Sequence, residues 1–223
     1  MNTIEYPDRD MLAIDVASRL AGDLETHLLN HESASLAVAG GTTPAPIFDD
    51  LCAADLDWSR VRVLATDERW VPDTSERSNA RMIAERLLVN RAAAAQFLPF
   101  HVPDQVPEDV IAEVESIIAP ELPISVLLLG MGSDMHTASL FPGVPGLEAA
   151  LEATAPVLAI LRPDSQPEAR ISLSARVLDA AISKHLVIYG DDKRKALEQA
   201  MLLPPEKAPI QAVLSETTVH WAP

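Results

Sequence analysis

Residues 124–143 constrain the fold more than any other stretch. Ile124-Ser125-Val126-Leu127-Leu128-Leu129 is an almost unbroken apolar run ending in Gly130-Met131-Gly132, and Asp134, His136 and the segment Thr137-Ala138-Ser139 follow before Pro142-Gly143. A strand with one wet face alternates polar and apolar residues, whereas a run apolar throughout is buried on both faces, as strands of parallel α/β sheets are. In such sheets ligands bind at the carboxyl ends of the strands, where loops and helix N-termini converge. Asp134 and His136 therefore stand where chemistry is expected, His136 as a general base and Asp134 as the carboxylate that orients it. A lone Asp-x-His more often caps a helix or ties a carbonyl. The preceding apolar strand and the bracketing glycines favour the chemical role.

Composition agrees with this class. A chain of 223 residues, 48% hydrophobic but only 4% aromatic, has ample material for a core and favours α/β packing. Residues 1–223 show no internal repeat, low-complexity tract or linker, and the expectation is one Rossmann-like, doubly wound domain with a mainly parallel sheet flanked by helices. The net charge of −16 argues against nucleic acid, whose phosphates need a basic footprint. No apolar run approaches the ~18–20 residues that span a membrane. The N-terminus lacks a basic region followed by an apolar one, so the expected compartment is the cytoplasm. The single cysteine, Cys52, reads as core packing, and the histidines show no zinc-like spacing, so no metal is expected.

Taken in order, the chain reads as a helix over 8–29, then a strand, Ser35–Ala39, running into Gly40-Gly41-Thr42-Thr43-Pro44. Glycines that let backbone N–H groups point inward, two hydroxyls and a proline at a helix start suit an anion, although the lysine of a P-loop is missing. A second strand, Val61–Ala65, ends in Asp67-Glu68-Arg69, with Arg69 placed to face an anion and Asp67 or Glu68 to orient it. Ser78-Asn79 caps a helix that carries Arg81 in its first turn, where a cation opposes the helix dipole; that mismatch gives Arg81 a possible ligand role against the plainer one of a surface ion pair. Helices are expected at 108–118 and 190–203, and strands at 157–161, 170–174, 185–190 and 210–214. Lys193 follows Gly190 at one more strand end.

These segments together resemble the 6-phosphogluconolactonase family. The likeness rests on the motifs at 39–44, 67–69, 78–79, 130–143, 170–174 and 190–193, and it spans nearly the whole chain. It implies the fold shared with glucosamine-6-phosphate deaminase and ribose-5-phosphate isomerase. It also implies hydrolysis of 6-phosphoglucono-δ-lactone without a cofactor, the substrate being a small phosphorylated sugar lactone and the protein a monomer or homodimer. His136 is then the base. The phosphate is held by Gly40, Gly41, Thr42 and Thr43 with Arg170 and Lys193, and Arg69 faces the sugar or the charge that develops on it. Two departures stand out: Thr42 replaces the usual serine and keeps its hydroxyl, and Met135 replaces the usual glycine, which is strained if that position needs φ > 0. A deaminase of the same fold is a competing reading, but Thr137-Ala138-Ser139-Leu140-Phe141 lacks the acid that ring opening uses. A non-catalytic sugar-phosphate sensor is another, for which no basic helix-turn-helix is present.

Overall fold

The computed structural model describes residues 1–164 and 166–223. In chain order the elements are β1 (Asn2–Glu5), α1 (Arg9–Leu28), β2 (Ala34–Val38), α2 (Ala45–Leu51), β3 (Val61–Ala65), β4 (Asp67–Arg69), α3 (Asn79–Arg86), β5 (Gln96–Phe97) and α4 (Pro107–Ile118). They continue as β6 (Val126–Gly130), α5 (Leu147–Leu151), β7 (Leu158–Leu161), β8 (Arg170–Leu173), α6 (Ala175–Asp179), β9 (Ser183–Tyr189), α7 (Gly190–Ala200) and β10 (Thr218–Ala222).

Seven strands form a parallel sheet in the order β1-β10-β9-β6-β2-β3-β5. Helices cover both faces, and β6 shows why its run had to be apolar. Val126 and Leu128 join the core formed with α1, α2 and α3, while Leu127 and Leu129 join the opposite core with α4, α5, α6 and α7. Leu127 and Leu128 are both 0% exposed, and each such burial contributes about 1.5–3 kcal/mol relative to an exposed side chain. The long helix α1 starts where Asp8 Oδ1 accepts from the Met11 N–H at 2.8 Å. It buries Leu12, Val16, Leu20, Leu24 and Leu28, a four-residue repeat that keeps one stripe against the sheet.

From β2 the chain winds outward through β3 to β5, returns to β6 beside β2, and winds the other way through β9 to β10. The reversal lies between β2 and β6, paired from Leu36↔Val126 to Val38↔Leu128. A crevice opens at such a switch point because successive connections diverge to opposite faces.

Four differences from the sequence reading stand out. Residues 210–214, expected as a strand, belong to a 3₁₀ turn, Pro209–Val213, whose Pro209, Ile210 and Val213 are buried; the last strand is β10. Asp67–Arg69, read as a strand end and loop, is itself a strand in a small antiparallel sheet of order β4-β8-β7. Arg170–Leu173, whose alternation of polar and apolar residues suggests one buried face, is buried throughout: Ile171 and Leu173 lie in the core, and Ser139 covers Arg170 and Ser172 on the other face. The edge strand β1 carries no apolar pattern that would announce it.

Candidate active site

A cavity of about 250 Å³ occupies the switch point. Its walls are the loops after β2 and β6, the small sheet, and the start of α7. After β2 the chain turns through Gly41 at φ 84°, a conformation that glycine reaches without steric cost. Gly40 is needed for a different reason: a β-carbon there would lie 2.0 Å from Asn79 Oδ1.

The loop after β6 presents the titratable pair. Gly132 N–H donates to the His136 carbonyl at 2.9 Å and Met135 N–H donates to the Gly132 carbonyl at 3.0 Å, which closes a tight turn. Met135 sits at φ 68°, so the position does take the left-handed region, and its side chain packs against the apolar core. His136 Nδ1 lies 2.5 Å from Asp134 Oδ1, and the His136 backbone N–H donates to the same oxygen at 3.3 Å. Burial pushes the Asp134 carboxyl upward, but the charge and hydrogen bonds of His136 outweigh it and hold Asp134 below the usual carboxylate value. An ionised Asp134 requires a proton on Nδ1, which leaves Nε2 as the basic nitrogen. Among the described residues no protein group bonds Nε2, and His136 lines the cavity.

Three cationic side chains face this pair across the cavity, Arg69, Arg170 and Lys193, against one lining carboxylate, Asp67. Arg69 Nη1 donates to Asn79 Oδ1 at 2.7 Å and to the Arg77 carbonyl at 2.9 Å. Arg170 lies 3.6 Å from Asp67 Oδ2 and donates to Ser139 Oγ at 3.4 Å and to Gln166 Oε1 at 3.2 Å. Burial draws the Arg170 guanidinium down from its ordinary value despite the opposing charge of Asp67. Both Arg69 Nε and Arg170 Nε are buried without a partner, a cost that a bound anion would remove. Lys193 Nζ donates to the Met131 carbonyl at 2.7 Å, and burial lowers its pKa while Asp134 opposes that. A chain of net charge −16 thus presents a locally positive cleft.

The structure brings Gly40, Gly41, Thr43, Asp67, Arg69, His136, Arg170 and Lys193 to this cavity, with Asp134 bonded behind His136. It does not bring Arg81, whose guanidinium pairs with Glu85 at 2.8 Å and donates to the Thr74 carbonyl at 3.0 Å in a separate shallow depression. Thr42 is exposed and lies outside the cavity lining. Glu68 has another use. Its buried carboxylate accepts from the backbone N–H groups of Arg69, Asn79 and Ala80 and from Ser78 Oγ, at 2.7–3.1 Å, and so caps α3. Asn79, read from sequence only as a helix start, reaches the cavity and also donates through Nδ2 to the Asp67 carbonyl at 2.7 Å. Ser139, in the Thr137-Ala138-Ser139 segment, is buried and donates to Asp67 Oδ2 at 2.5 Å. The polar pair Ser78-Asn79 is the only sequence signal for Asn79, and Ser139 has none beyond its place in the long motif. Among the described residues no group of three or more His, Cys, Asp or Glu side chains is placed to hold a metal.

The comparisons with known proteins fit this geometry. Residues 7–221 match the family described as glucosamine-6-phosphate isomerases/6-phosphogluconolactonase. The chain belongs to this family. Within the family, the 6-phosphogluconolactonase of Mesorhizobium japonicum is 39% identical over 98% of this chain and 94% of its own length. That of Pseudomonas aeruginosa is 39% identical over 93% and 89%. Among solved structures, a 6-phosphogluconolactonase from Shewanella baltica superposes with a TM-score of 0.95 at 31% identity, covering 100% of this chain and 98% of that one. The expected α/β fold with a mainly parallel sheet is therefore the family fold.

Proposed function

We propose that the chain hydrolyses 6-phospho-D-glucono-1,5-lactone to 6-phospho-D-gluconate, the second step of the oxidative pentose phosphate pathway. The observation that carries the reading is the Asp134–His136 pair, joined at 2.5 Å, whose imidazole lines a cavity shared with three cations. The kinship with named lactonases supports the same substrate.

Lactone hydrolysis needs an activated water, stabilisation of the carbonyl oxygen as it gains charge, and a grip on a distant phosphate. His136 Nε2 takes a proton from water as the oxygen attacks the lactone carbonyl, and Asp134 stabilises the imidazolium that forms. The tetrahedral intermediate collapses by expelling the ring oxygen, which receives that proton, and the ring opens to the acid. Arg170, Lys193 and the Gly40–Thr43 turn bind the phosphate, while Arg69 faces the sugar or the developing negative charge. Asp67 orients Arg170 and accepts from a sugar hydroxyl. None of these steps calls on a cofactor. We place the activity in the cytoplasm, carried by one α/β domain acting as a monomer or homodimer. No helix among the described residues is long and apolar enough to cross a membrane.

The test follows decay of the lactone generated in situ from glucose 6-phosphate, comparing wild type, His136→Ala and an enzyme-free blank, since this lactone also hydrolyses spontaneously. A general base contributes roughly 10²–10⁴-fold, so His136→Ala loses about that factor in kcat with KM largely kept. A loss below about tenfold removes His136 from the role. Ammonia release from glucosamine 6-phosphate by folded wild type would favour the deaminase reading instead.

A further inference from the structure

His136 is tethered at a single atom. Its Nδ1 bonds Asp134, yet the Asp134 side chain is 56% exposed, and one hydrogen bond to an exposed carboxylate fixes a point while leaving the ring plane free to swing. The other contact that defines the ring is Phe141, whose centroid lies 4.3 Å from that of His136 at an interplanar angle of 36°. The same phenyl ring carries a second cation, with Arg170 Cζ 5.5 Å from its centroid.

The turn that leads into Phe141 is clamped. Thr137 Oγ1 donates to the Gly130 carbonyl at 2.9 Å, and Leu140 N–H donates to the Thr137 carbonyl at 2.9 Å across a turn in which Ala138 takes φ 48°. Ser139, within that turn, is bound through its hydroxyl to Asp67 and through its N–H to Ser172 Oγ at 3.2 Å. Leu140 is 0% exposed in the core. Phe141 thus leaves a clamped turn and folds back beneath His136.

We propose that Phe141 is a positioning residue for the hydrolysis, holding the His136 ring so that Nε2 faces the cavity and lying within reach of both the imidazolium and the Arg170 guanidinium. The proposal rests on the reading of His136 as the base. When His136 takes up the water's proton, a second cation joins Arg170 around the phenyl ring. An aliphatic side chain there would attract neither charge. An aromatic ring attracts both through its negative face, and the gain arises only once the proton has moved.

The experiment compares wild type, Phe141→Leu, Phe141→Tyr and His136→Ala for kcat and KM on the lactone, with folding checked by thermal melting. A heteronuclear spectrum of the His136 ring C–H groups, assigned by their loss in His136→Ala, is recorded for each folded variant. Phe141→Leu is expected to lower kcat about 5- to 30-fold with KM changed less than about threefold, the size of a partly desolvated cation–π contact. It is also expected to shift the His136 ring signals downfield as the neighbouring ring current is lost. Phe141→Tyr, which keeps the ring, restores both to near wild type. A folded Phe141→Leu with kcat within twofold of wild type, or equal losses in Phe141→Leu and Phe141→Tyr, would overturn the proposal while leaving the base assignment intact if His136→Ala is dead. Full activity in His136→Ala would overturn the base assignment and the proposal together.

Discussion

A β-carbon built on Gly132 meets His136 Nδ1 at 2.1 Å and Asp134 Oδ1 at 2.3 Å, so the smallest possible side chain already intrudes on the hydrogen bond between Asp134 and His136. Gly132→Ala is expected to push the imidazole from its place and cut kcat by about 100-fold or more, since a misplacement near 1 Å costs about that much. Thermal stability should change little, because the loop is at the surface; steady-state kinetics beside a melting curve checks both. Met135 is the informative contrast. Its left-handed φ of 68° costs a non-glycine residue about 1–2 kcal/mol, and the packing of its side chain on the core offsets part of that. The Asp-x-His spacing was legible in the sequence because both residues belong to one short loop. The partner on the far side of the imidazole was not, since nothing in the spacing of Phe141 tells which way a ring five residues on will turn.

At the level of elements, the switch point between β2 and β6 could be anticipated from two apolar strands that each end in glycine. Strand β4 could not, because Asp67-Glu68-Arg69 carries three charges and becomes a strand only by pairing with Arg170–Ser172, a hundred residues away. That pairing makes Asn79 the tie between elements: it abuts Gly40 after β2, donates to the Asp67 carbonyl in β4, and accepts from Arg69. Asn79→Ala is expected to free the Arg69 guanidinium and raise KM for the lactone about tenfold, the worth of one charge-assisted hydrogen bond, with a smaller change in kcat. An unchanged KM would mean that Arg69 does not meet the substrate. Arg81, in the first turn of α3, opposes the helix dipole, and Glu85 one turn later supplies its counter-charge, the surface ion pair that the sequence offers beside a ligand role.

The whole molecule has an acid limit set far from the cavity. Buried His220 lies 3.0 Å from His185 and 2.9 Å from the Tyr6 hydroxyl, which donates to Asp15 at 2.5 Å. Burial first, then the charges of His185 and Arg19, push the His220 pKa down to about 3 against the pull of Asp15. The unfolded chain takes up this proton near pH 6.5 and the folded one only near 3, so the unfolded state binds more protons between those values. Stability is complete above pH ~6.5 and falls as pH drops, by about 1.4 kcal/mol per pH unit for one proton, or about 2 kcal/mol between pH 7 and 5. Asp15 and Asp23, both held below the usual carboxylate value by their hydrogen-bonded partners despite burial, add to the loss at still lower pH. Urea unfolding at pH 7 and 5 measures it, and His220→Gln should flatten the dependence even though it lowers stability at pH 7. The sheet edge built there has a consequence for biosynthesis. Among the described residues the one strand paired with β1 is β10, in parallel register from Asn2↔Thr218 to Glu5↔Trp221. On the ribosome, at roughly 5–20 residues per second, β1 waits some 10–45 s for β10 to be made, so this sheet edge forms late in synthesis.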